Sequence, residues 1–88
     1  MNMKITRRMV AKKIGDYLRH KLTLEALVAW AEFAMQEGDF EAKHTETLAR
    51  VIGRLGLADV GDFALTWDDC EKILGELGYS AHIAIVAA

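Results

Sequence analysis

Residues 23–40 read TLEALVAWAEFAMQEGDF, and this stretch decides the fold class. Thr23 offers a hydroxyl acceptor to the orphan N–H groups of a first helical turn, and Leu22 and Leu27 stand at the two positions of a hydrophobic staple. On a 3.6-residue wheel, Leu24, Ala26, Leu27, Val28, Trp30, Ala31, Phe33, Ala34 and Met35 cover more than half the circumference. Glu25, Glu32 and Gln36 form the narrow polar stripe that remains. A helix this apolar belongs in the middle of a bundle. Gly38 suits a left-handed terminator and Asp39 a cap for the next helix, so the pattern predicts a tight antiparallel hairpin of helices over about 24–37 and 40–55.

Toward the N-terminus, Thr6 caps a helix over about 7–20 that aligns Val10, Ala11, Ile14, Tyr17 and Leu18. Toward the C-terminus, Phe40, His44, Leu48, Val51, Ile52 and Leu55 share a face, and Gly56 with Leu57 suits a Schellman-type stop. Residues 58–65 show no clean period, and loop, short helical turn and brief strand all remain open there. Thr66 to Asp69 has capping-box spacing, with acids at positions 68, 69 and 71 where the helix dipole favours negative charge. It opens a helix over about 67–77 that buries Trp67, Cys70, Ile73, Leu74 and Leu77 and stops at Gly78, with Tyr79 supplying the capping contact. In residues 80–88 the β-branched Ile83, Ile85 and Val86 replace helix formers and no cap precedes them. An extended tail or strand is expected, pairing with residues 62–65 or with a second subunit.

Composition agrees with one mainly α domain over residues 1–88, a four-helix bundle-like unit with room for a short C-terminal β-strand. Thirteen alanines and no proline favour helix, and no repeat or linker suggests a second domain. The single cysteine, Cys70, forms no internal disulfide, and no apolar stretch of signal or membrane-spanning length follows the basic start. A cytoplasmic location follows as the expectation.

Few residues suggest chemistry. Glu41 and His44 have the spacing of carboxylate-bridged metal bundles, but such sites need a second copy and two more glutamates, which this chain lacks. Cys70 lies near a helix start among Asp68, Asp69 and Glu71, which oppose a thiolate; its wheel position reads as an inert core thiol. His20 and His82 complete no triad, and no glycine-rich loop marks a nucleotide site. Trp30, Phe33, Met35, Phe40, Phe63 and Trp67 take core spacings. Neither enzyme activity nor a metal or cofactor is expected.

Charge is more telling. Residues 1–21 hold Lys4, Arg7, Arg8, Lys12, Lys13, Arg19 and Lys21 against Asp16, a balance of +6, while the remainder carries −8. Arg7, Arg8, Lys12 and Arg19 are therefore candidate phosphate contacts, although a solvated basic face balanced by the acidic remainder explains the pattern without any ligand. The apolar arc of the second helix is wider than a small bundle covers. This points to a protein partner or a second copy, and Glu25, Glu32, Asp68, Glu71, Ile83 and Ile85 are the candidate contacts.

Tyr17-Leu18, Lys21-Leu22-Thr23-Leu24-Glu25-Ala26-Leu27 and Trp30-Ala31-Glu32 together resemble the helix-turn-helix start of small bacterial helical proteins and, more loosely, of helical bacteriocin immunity proteins. The resemblance spans under a quarter of the chain and assigns no functional residue. It implies a protein that works by binding another protein. In immunity families an acidic surface meets a basic nuclease toxin, and Glu25, Glu32, Glu37 and the acidic fourth helix are compatible with that. The expected function is thus a non-enzymatic, adaptor- or immunity-like interaction domain, able to dimerise and without membrane association. The alternative is a nucleic-acid-associated regulator using the basic first helix.

Overall fold

The computed structural model describes residues 3–61 and 64–80. Strand β1 (Met3–Ile5) leads into α1 (Arg7–Leu18) and α2 (Leu24–Glu37). Strand β2 (Gly38–Phe40) and a 3-10 turn (Ala42–His44) then precede α3 (Thr45–Gly56) and α4 (Trp67–Glu76). The chain is mainly helical, with a short parallel sheet of two strands among the described residues. No described helix is long and apolar enough to cross a membrane.

Local chemistry sets the helix starts. The hydroxyls of Thr6 and Thr23 accept from the N–H groups of Met9 and Ala26, each at 3.1 Å. At α4 the box closes in both directions: Asp69 N–H donates to the Thr66 hydroxyl at 3.1 Å, and Thr66 N–H donates to Asp69 Oδ2 at 3.0 Å. The stop after α4 is a full Schellman motif, with Gly78 at φ +87° and Tyr79 N–H donating to Leu74 O at 2.8 Å. The end of α1 has the same bonds, His20 N–H to Tyr17 O and Lys21 N–H to Asp16 O, but its left-handed residue is His20 at φ +61°. The connection to Thr23 contains no glycine, so a side-chain-bearing residue takes that conformation.

The β component differs from expectation. Met3, Lys4 and Ile5 pair in parallel with Gly38, Asp39 and Phe40, and Glu41 N–H extends the ladder to Ile5 O at 3.0 Å. Gly38 ends α2 without a left-handed turn, at φ −77°. Its reason is space, because an added Cβ would collide with the Ala34 carbonyl and lie 2.6 Å from Ile5 Cγ1. Asp39 pairs with Lys4 across the ladder at 3.9 Å instead of capping a helix. The third helix consequently starts at Thr45 rather than near residue 40, since Phe40 and Glu41 bond to β1. It ends at Gly56, which is helical rather than the terminator expected after residue 55; Leu57 follows at φ −98° and no Schellman turn forms. The expected C-terminal strand lies outside the described residues.

The core joins Ile5 to Val10 and Ile14 of α1, Leu27, Ala31 and Ala34 of α2, Leu48, Val51, Ile52 and Leu55 of α3, and Cys70, Ile73, Leu74 and Leu77. Each fully buried leucine or isoleucine contributes about 1.5–3 kcal/mol of transfer free energy. The closest pairing is the α2–α3 hairpin, with α1 and both strands packed against α2. Across the α3–α4 seam, Arg50 pairs with Glu76 at 3.1 Å and Arg54 with Asp69 at 3.5 Å.

Candidate interaction surfaces

The core uses Leu27, Val28, Ala31 and Ala34, which leaves the opposite face of α2 outside. Ala26, Ala29 and Phe33 lie along that outward face at helical spacing and are exposed, Phe33 to 51%. Glu25, Glu32 and Glu37 are exposed around them. On one flank Trp30 is half-buried under the Lys13 ammonium, 5.5 Å from the ring centroid. Of the six side chains assigned to the core, Phe33, Met35 and Trp67 are exposed, Trp30 and Phe40 are half-buried, and Phe63 lies outside the described residues. One layer of helices covers only one side of α2.

The basic candidates separate into two groups. Arg8, Lys12 and Arg19 are exposed on a common arc of α1, where Lys12 pairs with Asp16 at 3.2 Å. Arg7 faces inward: its Nε lies 3.6 Å from Glu41 Oε1, and its Nη1 donates to Leu77 O at 3.4 Å. Arg7 N–H also donates to Glu41 Oε1 at 2.9 Å. Arg7 is thus a clamp joining α1, the end of β2 and the end of α4, set apart from the exposed arc of Arg8, Lys12 and Arg19. The same bonds engage the Glu41 carboxylate. Among the described residues no three His, Cys, Asp or Glu side chains cluster as metal ligands would.

Of the acidic candidates, Glu25 and Glu32 project from α2, and Asp68 and Glu71 from the first turns of α4. Glu71 accepts the Trp67 indole N–H at 3.1 Å. Ile83 and Ile85 lie outside the described residues. A shallow cleft of about 280 Å³ between the end of α1 and the start of α4 is lined by Tyr17, Leu18, His20, Leu65, Thr66 and Trp67. Sequence reading missed this cleft; its only signal was the glycine-free connection that forces His20 into left-handed backbone.

Titration states follow from this packing. Burial, with the Asp69 charge adding to it, raises the Cys70 thiol to about 11, and the side chain has no exposed surface. A thiol held protonated at neutral pH is a poor nucleophile. Asp69 is lowered chiefly by the Thr66 N–H and hydroxyl bonds; burial opposes them, and Arg54 and then Lys72 add lesser lowering effects. Set beside known proteins, the chain matches no family model, no curated protein and no solved structure.

Proposed function

We propose that this protein is a non-enzymatic, adaptor- or immunity-like interaction domain acting in the cytoplasm, and that it holds a protein partner against the outward face of α2. One observation carries the reading: a phenylalanine 51% exposed in the middle of a regular helix, continued by Ala26 and Ala29 and rimmed by Glu25, Glu32 and Glu37. Two alanines let a partner helix approach closely and Phe33 supplies an anchor. A helix of 14 residues is roughly 21 Å long and gives a strip of only about 200 Å². That is well below the ~800 Å² per partner of a standard interface, so the partner extends over the flanking acids and is itself basic. Asp68 and Glu71 offer a second acidic zone on α4. A photo-crosslinker at position 33, compared with the same probe at exposed Lys43, tests the reading in host cells. A partner captured only at position 33, and lost with Glu25→Lys and Glu32→Lys, supports it; identical adducts at both positions refute it.

The alternative reading rests on the exposed arc of Arg8, Lys12 and Arg19. Three phosphate contacts give duplex binding that weakens about 40-fold between 50 and 200 mM salt. Absence of DNA or RNA retention at the lower salt, or retention unchanged by Arg8→Glu with Lys12→Glu, removes it.

A further inference from the structure

No carboxylate, lysine or arginine lines the cleft of about 280 Å³ between the end of α1 and the start of α4. Its floor is apolar and fixed, because Tyr17, Leu18 and Leu65 pack against the core. Trp67 closes one side, 37% exposed, and its indole N–H donates to Glu71 at 3.1 Å, which restricts the ring. Arg19, next in sequence to Leu18, turns its guanidinium back over Gly15. Hydrogen-bonding capacity nevertheless remains around this floor. Among the described residues the Tyr17 hydroxyl and the His20 imidazole have no hydrogen-bond partner. His20 is also the residue held at φ +61°, a conformation that glycine takes without strain and a side-chain-bearing residue does not. Strain of this kind gathers where a side chain is used, and here it falls on the lining of a cleft.

We propose that this cleft binds a free small molecule built on a neutral planar ring with a hydrogen-bonding edge. Charge decides the first property. A charged ligand would leave water for a lining that offers no opposite charge, whereas a neutral one keeps its polar edge satisfied by the Tyr17 hydroxyl and the His20 imidazole. Shape decides the second: Tyr17 and Trp67 supply aromatic surface, against which a planar ring gains offset or edge-to-face contact that a puckered ring lacks. Size sets the limit. The cleft lies just below the ~300–1,000 Å³ of sites for drug-sized ligands, so it takes one ring or two fused rings. The source is a free molecule, because the Thr66 N–H at the rim is already given to Asp69 and is closed to a peptide backbone. No residue of the outward α2 face takes part, so this site stands or falls apart from the interaction reading.

Benzamide, titrated into the isotopically labelled full chain and followed by NMR, tests this directly. Trp30, under Lys13 on the flank of α2, is the internal control. The expected result is a saturating shift of the Trp67 indole N–H and of the Tyr17 and His20 signals, with a Kd of about 1–10 mM, while Trp30 stays still. Benzoate carries the same ring with a charge, and cyclohexanecarboxamide the same edge on a puckered ring; each should bind at least ~5-fold more weakly. His20→Gly and Tyr17→Phe should each weaken benzamide binding about 2–10-fold without changing the far-ultraviolet circular dichroism spectrum. Absence of a saturating shift up to ~30 mM, or benzoate or cyclohexanecarboxamide binding as well as benzamide, would overturn the proposal. So would binding indifferent to both variants, or N-acetyltyrosinamide binding more tightly than benzamide, which would assign the cleft to a peptide. Contacts in the ligand-free chain between the Trp67 ring and residues 62–63 or 81–88 would overturn it too, since the protein would then fill the cleft itself.

Discussion

Replacing Gly38 with alanine perturbs the point where β1 and α2 come closest. The new Cβ would stand 2.6 Å from Ile5 Cγ1 and collide with the carbonyl oxygen of Ala34, which already accepts the Gly38 N–H. Ile5 is fully buried, and the Ala34 oxygen belongs to helix backbone, so neither neighbour moves cheaply. Overpacking of this kind costs about 1–3 kcal/mol, and weakening the ladder bonds that begin at Gly38 adds to it. The expected loss is about 2–3 kcal/mol, or roughly 10–20 °C in Tm for a domain of this size. Gly75 provides the control: it lies inside α4 with nothing within 4 Å of an added Cβ, so Gly75→Ala should gain about 0.5–1 kcal/mol. Thermal unfolding by far-ultraviolet circular dichroism, with urea titrations for both variants, measures the pair. A Gly38→Ala protein within about 2 °C of the unaltered chain would refute the close approach of β1 to the end of α2.

Other consequences concern caps and titration. His20→Gly relieves left-handed strain and should stabilise by about 1 kcal/mol in urea unfolding; a less stable variant would mean that the imidazole's contacts outweigh the strain. Thr66→Ala should cost about 1 kcal/mol by opening the capping box. Because the Asp69 carboxyl is lowered from 3.8, its contribution is complete above that value and lost as pH falls through the lower folded value. Asp69→Asn should therefore flatten the acid limb of a stability–pH curve. Cys70 is raised from 9.0 to about 11, so its contribution is complete below about 9 and lost as pH rises toward 11. A thiol reagent at mildly alkaline pH should label Cys70 only as fast as the protein opens; rapid labelling of the folded chain would contradict its burial.

Local signals were legible wherever a side chain acts on its own backbone. Thr6, Thr23 and Thr66 cap as read, α2 has the bounds its pattern gave, and Gly78 with Tyr79 closes α4. Arg7 illustrates what was not legible. It stands next to Arg8 in a basic segment and its charge read as part of a surface run, yet it reaches Glu41 and Leu77, 34 and 70 positions away. Phe33 read as core because the wheel records spacing without recording which sides of a helix have neighbours.

By itself the sequence determined the helical class, the capped starts, the apolar interior and the separation of charge, because each follows from spacing within a few residues. Only the tertiary structure decided that Gly38 begins a strand, that α3 waits until Thr45, that Arg7 is a clamp and that Phe33 faces outward. The first two depend on β1 meeting the end of α2 across more than thirty residues of chain. No local propensity encodes a steric contact between segments so far apart, and the energy of that contact exceeds the helical preference of the residues it overrides.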